Sequence, residues 1–107
     1  MLSDMSVNNQ VRTAGIINVA NTLTSWGFKT KILNSKSPFS IEASSSNSRL
    51  LVHVVSAMHP APAGISNNRL RSLRCHATPN AAETWIAEVQ LTQDLKMYGS
   101  ILWKRLW

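Results

Sequence analysis

The stretch RLLVHVVSA, residues 49–57, limits what this chain can fold into more than any other segment. Extended, it is apolar on both faces and broken only by His53. Such a strand needs cover on both sides, so it belongs in the middle of a sheet and not at its rim. The rest of the chain has to supply the cover and the neighbouring strands.

Upstream, Val7, Val11, Ala14, Ile17, Ala20 and Leu23 recur at three- and four-residue steps and predict a helix with Ser6 as its N-cap. Ile16, Val19 and Trp26 widen its apolar face, as a helix packed on a sheet requires, while Asn8, Asn9, Arg12 and Asn18 lie toward solvent. Gly27 is placed to be a left-handed C-cap, with Phe28 folding back as the hydrophobic contact. FKTKIL and FSIEAS then alternate as strands separated by NSKSP. In the second, Phe39, Ile41 and Ala43 point inward and Ser40, Glu42 and Ser44 outward.

Downstream of the apolar strand, MHPAPAGISNN reads as a loop. RLRSLRCHAT and TWIAEVQLT read as a second hairpin turning at PNAAE. Thr92 caps a terminal helix whose stripe is Leu95, Tyr98, Ile101 or Leu102, and Leu106. Asp94 in its first turn and Lys104 and Arg105 in its last complement the helix dipole. The expected architecture is α+β: a mixed sheet of four or five strands packed with an N-terminal and a C-terminal helix, one domain over residues 1–107.

The 11 Lys and Arg against 5 Asp and Glu leave a net charge of +6, which favours nucleic acid (DNA or RNA), an anionic membrane or an acidic partner, and is equally a way of staying soluble. With 44% hydrophobic and 15% charged residues, the composition is that of a folded protein and excludes a disordered one. The single Cys75 rules out an internal disulfide framework and suits a reducing compartment. There is no apolar run of transmembrane length, and MLSDMSVNN lacks the basic and apolar regions of a signal peptide, so the expected location is the cytoplasm.

A helix ending LTSWGFKTKI, a hairpin and a very apolar strand resemble the core of the PD-(D/E)XK, or restriction-endonuclease-like, nuclease superfamily. The likeness covers roughly residues 7–57 and implies a restriction-endonuclease-like core. It also implies a site in which an acidic residue on the second strand and a Glu-x-Lys on the third bind magnesium and position water. Two carboxylates suit that hard cation, and a lysine helps to activate the nucleophile. Carried over, Glu42 matches the first acidic position, His53 stands at the second carboxylate and Val55 at the lysine. Imidazole is a poor magnesium ligand and valine has no donor, so the resemblance implies a degenerate motif.

Arg69, Arg71 and Arg74, with Lys29 and Lys31, are the candidate anion-binding residues. If Arg69 and Arg71 are in a strand they share a face, and the alternative role of the three arginines is a charged edge resisting aggregation. His53 on a buried strand is expected to be a hydrogen-bonded core residue. On a strand, Cys75 and His76 point to opposite faces and cannot form a thiol–imidazole pair. Tyr98, Trp103 and Trp107 are expected in core or dimer packing, with base stacking or membrane contact as the alternatives. The functional expectation is a non-catalytic, nuclease-like nucleic-acid-binding domain with no small-molecule cofactor. The alternatives are a small homodimeric interaction protein, and then a metal-dependent nuclease that would require magnesium.

Overall fold

The computed structural model describes residues 3–34, 37–76 and 83–106. Helix α1 (Ser3–Ser25) is followed by β1 (Lys29–Ile32), β2 (Ile41–Ser44) and β3 (Arg49–Met58). Then come helix α2 (Asn67–His76), β4 (Glu83–Leu91) and β5 (Met97–Arg105). The five strands form one sheet in the order β1-β2-β3-β4-β5. The β3–β4 pair is parallel, and the other three are antiparallel. The expected mixed α+β sheet with its apolar strand in the middle is what forms.

Helix α1 opens three residues before Ser6 and stops where the sequence says it should. Gly27 takes φ 96, its N–H donates to the Thr24 carbonyl at 3.0 Å, and the Phe28 N–H donates to the Leu23 carbonyl at 3.1 Å. These are the two bonds of a Schellman cap, and Phe28 packs beside Leu23 as that cap requires. Val11, Val19, Ala20 and Leu23 bury the helix face against Ile41, Ala43, Val52, Val54, Ala87, Val89 and Leu91. Ile17 and Trp26, expected on that face, are exposed. The Ser6 hydroxyl, the Val7 side chain, the His76 ring and Trp107 lie outside the described residues.

The opposite face of the sheet is covered more thinly. There Leu73, Phe39 and Ile86 form a second buried cluster, with Leu51, Val55, Leu70 and Leu106 around it. Phe39 therefore packs away from Ile41 and Ala43 instead of beside them. The alternation fails because the strand begins only at Ile41 and residues 37–40 are bent. Ser40, expected outward, is buried and accepts a hydrogen bond from the Val54 N–H at 3.2 Å.

Two elements differ from the sequence expectation. RLRSLRCH is helix α2, not a strand, and serves as the crossover that parallel β3 and β4 need. The segment expected to be a C-terminal helix is strand β5, so the second helix lies between β3 and β4 and not at the C-terminus. Thr92 closes a tight β4–β5 turn instead of capping a helix. Its N–H donates to the Lys96 carbonyl at 2.8 Å, and its Oγ1 accepts from the Lys96 N–H at 3.2 Å.

Candidate functional site

Glu42 stands on β2 between Lys31 on β1 and Leu51 on β3. The Thr30 hydroxyl meets that of Thr24 on α1 at 3.2 Å, which turns the alternating Lys29, Lys31 and Glu42 to the face away from α1. Arg49 closes on the Glu42 carboxylate, its Nε donating to Oε2 at 2.6 Å. Glu42 is thus already neutralised by a charge-assisted bond.

His53 is half-buried one face-repeat further along β3, and its Nδ1 lies 3.1 Å from the Pro38 carbonyl. A carbonyl can only accept, so Nδ1 carries the proton and Nε2 is bare in the neutral ring. The histidine is the hydrogen-bonded residue the sequence suggests. Burial, and then the Arg69 guanidinium, hold its pKa below the usual histidine range, with a smaller push from Arg12. The Pro38 bond opposes them.

Between an unfolded value near 6.5 and a lower folded one, the unfolded chain takes up the proton first. The His53 contribution to stability is therefore complete above pH 6.5 and is lost as pH falls through the folded value. Urea unfolding at pH 7.5 and 5.5 checks this: His53→Gln, which retains a donor for Pro38, is expected to flatten the acid-side loss. An unchanged pH slope in that variant would remove His53 as its source.

Val55 occupies the next position of the same face and stands opposite Glu88 of β4. The sequence reading passed over Glu88, which is nearly buried and receives the Lys104 Nζ from β5 at 3.2 Å. Its signal was a lone charge inside the apolar run TWIAEVQL. Glu42 and Glu88 are two strands apart, about 9–10 Å, and offset by four residues along β3, so they cannot share one cation. Among the described residues no three His, Cys, Asp or Glu side chains are grouped to hold a metal. One arginine-bound carboxylate, one imidazole and one valine do not fit magnesium.

Arg69, Arg71 and Arg74 are exposed on α2, which the Leu70 and Leu73 contacts place on the face away from α1. Being helical, Arg71 and Arg74 share the outer side, whereas Arg69 lies nearly opposite Arg71, toward His53. The expectation that Arg69 and Arg71 share a face is thus corrected. Together with Lys29 and Lys31, the five cations occupy one side of the sheet. Cys75 is exposed on the same helix and not on a strand, so the strand argument made for it does not apply.

The aromatic residues of β5 do not form one stripe. Trp103 is half-buried, with its ring 5.8 Å from Trp26 and 6.4 Å from Trp85. Tyr98 is exposed and stacks on His59 at 3.8 Å. No helix among the described residues is long and apolar enough to cross a membrane.

No family profile and no curated protein matches the sequence. The structure is nevertheless informative, because its fold is that of the restriction-endonuclease-like nucleases. It is similar to Hjc, a Holliday junction resolvase from the archaeal hyperthermophile Archaeoglobus fulgidus, with a TM-score of 0.67. The match covers 89% of this chain and 72% of that one at 16% identity. At that identity the likeness establishes the fold alone.

Proposed function

We propose that this protein is a non-catalytic, nuclease-like domain that binds nucleic acid. The observation carrying this reading is the donor set on β2 and β3: Glu42 held by Arg49, His53 facing Pro38, and the aliphatic Val55. Around it, Lys29, Lys31, Arg69, Arg71 and Arg74 give one side of the sheet a positive field suited to phosphates. Such a domain recognises the backbone and positions it without cutting.

Fluorescence anisotropy with four-way junction, duplex and single-stranded DNA, and with RNA, across a salt series tests this. With three or four phosphate contacts, log K should fall against log [salt] with a slope of about −3. Arg71→Glu with Arg74→Glu is expected to weaken binding by about two orders of magnitude at low salt. A slope near zero would sink the reading. Magnesium-dependent cleavage by the wild type, abolished in Glu42→Ala, would reinstate the nuclease.

A homodimer is the second reading, supported by β5. This nine-residue edge strand pairs on one side only and exposes Tyr98 and Leu102. Sedimentation velocity over a hundredfold concentration range should then show a dimer weakened by Tyr98→Glu. A single monomeric species throughout would dismiss it.

A further inference from the structure

Strand β2 covers β3 only from Arg49 to Val52. Beyond that point β3 runs on to Met58 with no strand on this side among the described residues, and a cleft of about 540 Å³ opens along its edge. Arg12, His53 and Ser56 are the polar residues that line it. Arg12 comes from α1 and lines the cleft with His53, while Arg69 comes from α2 on the opposite face, where its positive charge acts on the His53 ring. Neither arginine is ion-paired among the described residues. The cleft lining contains no carboxylate; Glu42, the acid on the adjoining strand, is bound to Arg49 and stands opposite Lys31.

The backbone adds to this. Val52 accepts from the Ser40 N–H and Val54 donates to the Ser40 hydroxyl, both on the β2 side. Strand alternation then turns the Ser56 amide the same way, into the open edge.

We propose that this cleft binds a nucleic-acid phosphate directly, against the guanidinium group of Arg12 and the ring of His53 and within reach of the Arg69 charge, with no divalent cation in between. A carboxylate-lined nuclease site repels a phosphodiester until metal masks its charge. Here the sign is inverted at the corresponding place, so the metal is unnecessary for binding. Guanidinium forks match phosphate oxygens in geometry as well as charge. The bare Nε2 of His53 becomes a third donor when the ring is protonated, and a bound anion favours that protonation. The inference deepens the nucleic-acid reading and depends on it for the identity of the ligand, though not for the site itself.

The test is NMR titration of the intact protein with inorganic phosphate in excess EDTA, following the His53 ring and the Ser56 amide, beside anisotropy with duplex DNA. Saturable shifts at both groups and an upward move of the His53 pKa are expected in the wild type. Both should be lost in Arg12→Gln with Arg69→Gln, and DNA affinity in that variant should fall about tenfold or more at low salt. Phosphate that leaves His53 and Ser56 unmoved, or moves them equally in the double variant, overturns the site. If Arg71→Glu with Arg74→Glu weakens DNA binding while Arg12→Gln with Arg69→Gln does not, this inference fails and the broader reading stands. If phosphate seats but no nucleic acid binds at any salt, the site stands and the broader reading fails.

Discussion

Gly15→Ala is expected to destabilise the protein by about 2–3 kcal/mol, although alanine in mid-helix ordinarily gains about 1 kcal/mol over glycine. The sign reverses because α1 crosses β3 at this residue. A Cβ on Gly15 would lie 2.5 Å from the Ser56 Oγ and 2.6 Å from its Cβ, with Val54 Cγ1 at 3.6 Å. The hydroxyl can rotate away. The Cβ cannot, because the β3 backbone is held there by its pairing with Val89 of β4. The helix would have to lift, loosening Val11 and Val19 from the main core. Urea unfolding of four proteins separates the terms: wild type, Gly15→Ala, Gly15→Ala with Ser56→Ala, and Gly15→Ala with Ser56→Gly. Removing only the hydroxyl should restore little, while removing the Ser56 Cβ should restore most of the loss. A Gly15→Ala protein as stable as the wild type would show that the helix does not approach the strand this closely.

That contact explains why the first half of the chain was legible. The WGF exit of α1 and the two-faced run of β3 are local patterns, and each describes an element that packs into the main core. The second half misleads for equally local reasons. In RLRSLRC the leucines stand three apart, and the alternating start reads as a strand equally well. The deciding signal was Ser66, whose hydroxyl accepts from the Arg69 N–H at 3.2 Å as the N-cap of α2. In β5 a bulge does the damage. The register jumps from Gln90↔Tyr98 to Glu88↔Leu102, and Gly99 within the extra residues takes φ 74. Met97 before the bulge and Ile101 and Trp103 after it still face the main core, but the interrupted alternation mimics a helical stripe. Leu95, read as part of that stripe, instead sits in the turn at φ 64.

The site was legible only as far as residue types go. Glu42, His53 and Val55 do fall on one face of adjacent strands, as their spacing implies. The sequence gives no hint that Arg49 would take the Glu42 carboxylate, because that bond depends on the β2–β3 register. Nor does it hint that Arg12, solvent-facing by periodicity, would meet His53 round the end of a short β2. The placement of Arg12 beside His53 is a property of topology and not of any motif.

Leu73→Ala is expected to cost about 2–4 kcal/mol and to spend that loss locally, on α2. Leu73 is buried to 1% exposure, in a cluster where Phe39 and Ile86 are the other buried members, and half-buried Leu70 is the next residue holding the helix down. Ten residues with three arginines cannot sustain a helix unaided, so the helix persists only while its leucines remain seated. The Schellman-capped α1 and the β3–β4 core draw on a separate cluster and should keep their stability. Native-state hydrogen exchange should therefore show Asn67–His76 opening while Val52, Val54 and Val89 stay protected. Because α2 carries Arg69, Arg71 and Arg74, the proposed DNA binding should show a shallower salt slope in the same variant, which trades fixed cations for a tethered, floppy set. Exchange that accelerates uniformly across α2 and the central strands would instead make the two clusters one cooperative unit, and the arginine-bearing helix an integral part of the core.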